Sequence, residues 1–460
     1  MRLSAIDIGS SATKSCVFEI ESPGQIQLHE HQSIDCPLLR SQENHIEHNL
    51  GNHLCALRDL MGRLPKNIPV GFTSAMHGLV LLDKDGRALT EGLSWADGRS
   101  FQQAYRLKME HPGAHSRTGT PLHPMAWPAK ILWIQEKRPE LWRRTRKLTD
   151  LKSYLLKDFT EQNYALDISS ASGTGLWNHD EKTWDQELVN ALSLNSETLP
   201  EVHLESFAWN WEGRKLHLGG GDGPLGNLGT GAVGLGRTAL SLGTSGACRS
   251  FAETLRPLPQ ELFRYHLNRA SWVEGGAISN GSSVLDWLAQ REAHTPEQIL
   301  QLASAVEPGA KGLRVYPYFQ GERAPFWRAN VQAQIRPQHK EHNFAELARA
   351  TIEGVGFCLQ RVLSFMPASQ EALRCTGGMF GSKIWCQLLA DITGSEIAVS
   401  PVTQATSLGA ALLCLPEHLA LSRELPLGTV VEPREKQHLI YRELYQNWVR
   451  LDEASSPSKT

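Results

Sequence analysis

The sequence predicts an α/β protein of two related domains, and three observations carry that prediction. A short β-prone run ending in an acid, residues 3–7 (L-S-A-I-D), leads into Gly9-Ser10-Ser11 and a second β-prone run over 12–20, which reads as a hairpin. The same device returns in the second half: residues 238–242 (T-A-L-S-L), then Gly243-Thr244-Ser245-Gly246, then 247–251. After each hairpin, strand-like runs alternate with amphipathic helical patterns, the signature of α/β layering. A repeat at so long a spacing is no solenoid; it reads as two domains that each open on a hairpin.

Length and composition agree. At roughly 150 residues per domain, 460 residues allow two or three domains. Hydrophobic residues make up 41% and charged residues 21%, near the averages for soluble globular proteins. Lys+Arg is 46 against Asp+Glu 49, so the basic surplus of a nucleic-acid binder is missing and small molecules are the expected partners. Eight cysteines are scattered with no C-x-x-C, too sparse for a disulfide scaffold, and are expected as reduced thiols of a cytoplasmic protein. The N-terminus shows no apolar signal region, and no stretch approaches the ~20 apolar residues that span a bilayer. His45/His48 and His339/His342 are the nearest approach to metal spacing. Lacking a second ligand pair, they are expected to be solvated surface histidines.

The Gly-rich stretch 229–236 places the boundary, giving a first domain over 1–235, a second over 236–452 and a frayed polar tail over 453–460. The clearest helix covers 344–366, with Phe344, Leu347, Ile352, Val355, Leu359, Val362 and Met366 on one face. Gly354 and Gly356 inside it would each cost about 1 kcal/mol against Ala, so close packing is expected to offset them.

The first hairpin turn has the chemistry of a phosphate site. Gly9 admits a close ligand, Ser10 and Ser11 add hydroxyl donors to the turn's N–H groups, and Lys14 supplies a point charge. Asp7 beside a phosphate makes sense as an anchor for Mg²⁺, directly or through water. Alone, such a stretch is also an ordinary turn; its recurrence at 243–246 strengthens the phosphate reading. A third Gly-rich element, Cys375-Thr376-Gly377-Gly378-Met379-Phe380-Gly381-Ser382, opens a helix over 383–393 and fits either a ligand contact or a plain βα turn. No P-loop or dinucleotide fingerprint follows the first strand.

Asp222 stands among four glycines (Gly219, Gly220, Gly221, Gly223), where a substrate hydroxyl could reach it. It could accept the proton of a hydroxyl attacking phosphorus; an Asp-Gly turn explains the residues equally well. Three clusters suit a polyol: Ser74-Ala75-Met76-His77-Gly78, Trp95-Ala96-Asp97-Gly98-Arg99 and residues 118–125, with His123 and Met125. Each joins hydrogen-bonding groups to an apolar wall, although loop residues and satisfied histidines would look the same. Arg99, His77 and His123 are the cations available to a substrate carboxylate.

The ordered set D-I-G-S-S-A-T-K, S-A-M-H-G, W-A-D-G-R-S, T-G-T-P-L-H-P-M, G-G-G-D-G, L-G-T-S-G-A, G-E-R-A-P and T-G-G-M-F-G-S resembles the FGGY carbohydrate kinases, a branch of the hexokinase–actin superfamily. It runs from Asp7 to about Leu413, and several motifs are most similar to those of gluconate kinases, with xylulose kinases next. The resemblance implies two ribonuclease-H-like domains with ATP and sugar in the cleft between them. It implies Asp222 as catalytic base, Asp7 as the Mg²⁺-linked aspartate, and Ser10, Ser11, Lys14, Gly243, Thr244, Ser245, Gly281, Gly378 and Ser382 on the nucleotide. Met76, His77 and Met125 fall at sugar-contact positions, with Asp97 and Arg99 close by. The expected reaction is ATP-dependent phosphorylation of the terminal hydroxyl of D-gluconate. A neutral ketopentose such as xylulose is the alternative substrate, and a nucleotide-binding regulator the alternative of another class. The expected partners are a sugar acid and ATP, with no nucleic acid and no membrane; a homodimer is the assembly left open. Two departures stand out. Trp127 occupies a position that is usually Pro, Ser or Thr, before the matching Lys130 and Trp133, and residues 328–337 after Trp327 lack the family's Pro and Gly pattern.

Overall fold

The computed structural model describes residues 1–22, 24–42, 44–161, 164–319, 321–328, 331–337 and 341–455. The chain divides into two compact units, neither of them continuous. One comprises Met1–Leu235, Phe251–Glu274 and Gln404–Leu425; the other comprises Gly236–Ser250, Gly275–Thr403 and Pro426–Thr460. The chain leaves the first unit at Leu235, then returns to it twice.

In the first unit, a six-stranded sheet runs in the order Ala208–Trp211, Arg214–Gly221, Val70–Ser74, Arg2–Ile8, Ala12–Ser22, Gln25–Asp35. Its centre is parallel: Val70–Ser74 lies between Arg2–Ile8 and Arg214–Gly221 and runs with both. Ser74 is in register with Ile8 on one side and Gly221 on the other. The chain therefore leaves all three strands at one edge, where Asp7 is the last residue but one of its strand and Met76–His77 and Asp222 follow theirs. The alternating apolar residues Ile6, Ile8, Val70, Phe72, Leu216 and Leu218 meet the helix Leu50–Arg63 through Leu57, Leu60 and Met61. Asn49 caps that helix by accepting from the Asn52 N–H.

Four of the nine residues in the helix Asp222–Thr230 are glycine or proline, yet it forms, because Gly229 is contact surface rather than spacer. A Cβ at Gly229 would lie 1.7 Å from the Ala405 carbonyl oxygen, and one at Gly409 would lie 2.0 Å from that of Leu225. Only hydrogen at both positions lets this helix cross Ala405–Leu412 at backbone contact. A second apolar cluster in the same unit gathers Leu79, Leu81, Trp127, Ile131, Ile134, Leu148 and Trp177.

The second unit repeats the opening. Thr238–Leu242 and Gly246–Ala252 form an antiparallel hairpin, and Leu373–Thr376 joins Thr238–Leu242 in parallel, followed by Ile397–Val399 and then Thr429–Val431. The long helix is Phe344–Phe365, closed at its start by a capping box between Asn343 and Glu346. Its glycines are sites of close approach: a Cβ at Gly354 would meet the Val315 oxygen at 2.4 Å, and one at Gly356 the Ile392 Cδ1 at 2.5 Å.

Two expectations need correction. The helix Glu435–Ser455 continues through 453–455, placed in a frayed tail, because its last turns are docked. Asp452 is buried, paired with Arg361 at 2.6 Å and bonded by the Tyr318 hydroxyl. Residues 456–460 lie outside the described residues. His48 is fully buried, and desolvation lowers its pKa to about 3. His45 is half-buried, His342 bonds Glu346 at 3.2 Å, and His339 lies outside the described residues. The residues after Trp327 build a short strand, Gln334–Arg336, paired antiparallel with Arg314–Tyr316. Among the described residues all eight cysteines are free, no group of ligating side chains suits a metal alone, and no helix is long and apolar enough to cross a membrane.

Candidate active site

The hairpin of the first unit places Asp7 directly opposite Lys14. The turn between them is tight, closed by the Gly9 N–H on the Ala12 carbonyl at 2.9 Å. Ser11 is exposed, and the Ser10 hydroxyl accepts from the Trp95 indole at 2.8 Å, which ties the turn to the cluster around Asp97. Burial pushes the Asp7 carboxyl up to about 7; Lys14 pulls it down, and the charge of Asp222 raises it further. The last influence shows that the two carboxylates feel one another.

Asp222 is the first residue of its helix, not part of a loose turn. Its carboxylate accepts from the Gly223 N–H at 2.8 Å and stands at a helix N-terminus, where a negative group is favoured. The Ser169 hydroxyl holds the preceding Gly221 N–H at 3.1 Å. Met76 lies against Gly221 so closely that a Cβ there would come within 2.7 Å of its Cγ, and one at Gly173 within 2.4 Å of its Cε. Gly221 thus makes room for the thioether of Met76, from a distant part of the chain.

His77 adopts φ 67°, a left-handed conformation uncommon outside glycine. Its Nδ1 lies 2.6 Å from the Gly173 carbonyl, which only accepts, so Nδ1 carries the proton. Tyr265 stands edge-on to the ring at 5.7 Å, its hydroxyl 3.5 Å from Nε2. His123 accepts the Met125 N–H on Nδ1 at 3.2 Å, which puts its own proton on Nε2. Met125 is fully buried.

Asp97 and Arg99 form one assembly. The Asp97 carboxylate accepts from the Ile46 N–H at 3.1 Å and from Arg99 Nε at 2.9 Å, while Arg99 Nη2 reaches Glu47 at 2.6 Å. The guanidinium also covers the Trp133 ring at 4.9 Å. Arg99, expected as a cation awaiting a substrate carboxylate, is instead neutralised by two acids and largely buried.

In the second unit the turn Gly243-Thr244-Ser245 is exposed to half-exposed and closed by the Gly243 N–H on the Ser245 carbonyl at 2.9 Å. Gly281 and Ser282 donate backbone N–H bonds to the Thr244 and Gly243 carbonyls at 2.8 and 2.7 Å, and a Cβ on Gly281 would collide with the Gly243 oxygen at 2.5 Å. Gly378 is exposed with open space where its Cβ would be, and Ser382 caps the helix Lys383–Thr393. Glu322 pins the segment that follows the strand Ser271–Ile278: its Oε1 accepts from Ser279 N–H at 2.6 Å and Arg323 N–H at 2.8 Å, and burial raises its carboxyl to about 7. Glu322, with Arg323 donating to the Ile278 carbonyl at 2.8 Å, thus anchors the segment that carries Gly281.

Sequence reasoning missed Glu47, Gly173 and Tyr265. Glu47 lies between His45 and His48, and nothing in that stretch marks it as a partner for Arg99. Gly173 and Tyr265 reach His77 from 96 and 188 positions away, a juxtaposition that no local pattern encodes.

Residues 3–207 match the N-terminal domain, and residues 238–416 the C-terminal domain, of the FGGY family of carbohydrate kinases. This chain belongs to that family. The FGGY kinase is 32% identical over 451 residues to the gluconokinase of Bacillus subtilis (strain 168), covering 89% of this chain and 86% of that protein. It is 28% identical over 408 residues to the xylulose kinase of Escherichia coli (strain K12), covering 83% and 84%. Two solved structures from Lactobacillus acidophilus share its fold at TM-score 0.91 and 27% identity. They are a gluconate kinase, covering 100% of this chain and 99% of that one, and a ligand-bound xylulose kinase, covering 99% of each. The protein has the two-domain actin/hexokinase-like fold and is a phosphotransferase acting on an alcohol group of a carbohydrate.

Proposed function

We propose that this FGGY kinase transfers the γ-phosphoryl group of ATP to the terminal hydroxyl of D-gluconate. The observation that carries the chemistry is Asp222: a carboxylate at a helix start, stripped of neighbouring side chains by glycine and coupled electrostatically to Asp7. Asp222 takes the hydroxyl proton as the oxygen attacks phosphorus. Lys14 and the N–H groups of the turn at Gly9, Ser10 and Ser11 neutralise phosphate charge, and Gly243, Thr244, Ser245, Gly281, Gly378 and Ser382 take the nucleotide.

Mg²⁺ fits this donor set. A buried carboxyl raised to about 7 beside a second carboxylate is a place where a divalent cation relieves repulsion. Asp7 would hold the ion, directly or through water, and with no larger ligand cluster among the described residues, water and phosphate oxygens would complete its shell. When bound, the ion neutralises charge between the β- and γ-phosphates.

The gluconate assignment is supported by the gluconokinase relatives, at higher identity than the xylulose kinases, and by the motifs around Met76, His77, His123 and Met125. With Arg99 held by Asp97 and Glu47, a substrate carboxylate would be met in these clusters by His77 and His123. The same ion pairing favours a second reading, a neutral ketopentose. Release of ADP from Mg·ATP, measured with D-gluconate, D-xylulose, L-ribulose, glycerol and no sugar, separates the two. Turnover confined to gluconate supports the first; preference for xylulose replaces it.

A further inference from the structure

Two side chains of one helix hold consecutive carbonyls of the turn that carries His77. In the helix Trp127–Lys137, the Trp127 indole N–H donates to the Gly78 oxygen at 2.9 Å. Lys130, one turn on, donates through Nζ to the His77 oxygen at 2.7 Å and to that of Leu93 at 3.5 Å. Both residues are fully buried. Among the described residues Lys130 has no bonded carboxylate; Asp97 and Arg99 act on it through space and with opposite sign. Burial lowers its ammonium to about 7.

A buried amine that touches only carbonyls is a costly way to fill space, since a Met or Leu would fill it without desolvating a charge. The turn it grips has reason to need gripping. A non-glycine residue in the left-handed region stores roughly 1 kcal/mol or more, which the surroundings must offset. Leu151 closes the other side, 3.3 Å from where a Cβ on Gly78 would stand. The Trp127 half of this arrangement falls where the chain departs from the usual Pro, Ser or Thr. Pro has no donor to offer there, and a Ser or Thr hydroxyl is too short to span an indole's reach.

We infer that Trp127 and Lys130 are positioning residues: they lock the His77–Gly78 turn in its left-handed form and so aim the His77 imidazole at the sugar. The inference rests on the proposed contact between His77 and the sugar. Its test is steady-state kinetics of the full chain, using whichever sugar turns over, for K130M, W127F, H77A and each of the first two combined with H77A. W127F keeps an aromatic ring while removing the N–H with the five-membered half of the indole, and it serves as the second variant should K130M not fold. Losing one hydrogen bond to the turn is expected to raise the KM for sugar roughly tenfold, with the KM for ATP unchanged within twofold. In the H77A background neither substitution should raise it further, because the ring they aim is gone. A lowered melting temperature with sugar KM unchanged, or an effect that persists in full beside H77A, overturns the positioning role. If H77A itself leaves the sugar KM unaltered, the His77 contact is refuted and the positioning role with it. If H77A raises it and W127F and K130M do not, only the positioning role is refuted.

Discussion

Replacing Asp7 by Asn probes the electrostatics of the site without altering its shape. Burial and Asp222 together raise the Asp7 carboxyl from 3.8 to about 7, so its ionised form is disfavoured in the folded protein. A carboxyl whose folded pKa is raised contributes stability at low pH and loses it as pH rises through the folded value. At 1.36 kcal/mol per tenfold, the ionised group costs on the order of 4 kcal/mol above about pH 8, as an upper bound. The amide carries no charge at any pH. The ligand-free Asp7→Asn protein should therefore be no more stable than wild type near pH 4 and several degrees more stable at pH 8. Thermal unfolding of both proteins from pH 4 to pH 8 reads the difference directly. Adding Mg·ATP at pH 8 should reverse the order, because the wild-type carboxylate then meets the cation it lacks when free. A difference between the two proteins that stays flat with pH would refute the account of Asp7, whatever the variant does to turnover.

Other expected outcomes follow from single contacts. Asp222→Asn should lower kcat by roughly 10²–10⁴ while ATP still binds, as measured by ADP release and nucleotide titration; retained turnover would remove Asp222 as base. Gly229→Ala forces a Cβ to within 1.7 Å of the Ala405 oxygen, so the helix pair must separate, and a loss of about 1–3 kcal/mol or more is expected in denaturant unfolding. Gly281→Ala and Gly378→Ala form a contrast. The first meets the Gly243 oxygen at 2.5 Å and should lower both stability and ATP affinity; the second meets nothing within 4 Å and should leave stability unchanged while raising the KM for ATP. Equal effects of the two on stability would contradict the packing described.

Much of the site could be read from the chain because it is local. Asp7, the small turn after it and Lys14 lie within one hairpin, so period-two patterning and a Gly-Ser-Ser turn suffice to place them. The same holds for Gly243, Thr244 and Ser245, and for Ser382 at its helix start. Asp222 was legible as a carboxylate free of bulky neighbours, though what the glycines make room for was not. Arg99 shows the opposite case: its residue type suggests a cation for substrate, and only packing reveals that Asp97 and Glu47 already hold it. His48 likewise resembles a solvated histidine until the strand that carries it is seen to be covered.

The sequence by itself determined the α/β class, the two hairpins and the family, because each depends on patterns a few residues long. Tertiary structure decided the surroundings of the candidate site. It raised Asp7 by burying it beside Asp222, set Met76 against Gly221, turned His77 into a left-handed bend gripped by Trp127 and Lys130, and brought Tyr265 and Gly173 to its ring. Those effects depend on burial and on contacts between residues tens to hundreds of positions apart. Desolvation, steric exclusion and charge–charge coupling act through space, and they take their values only once the chain is packed.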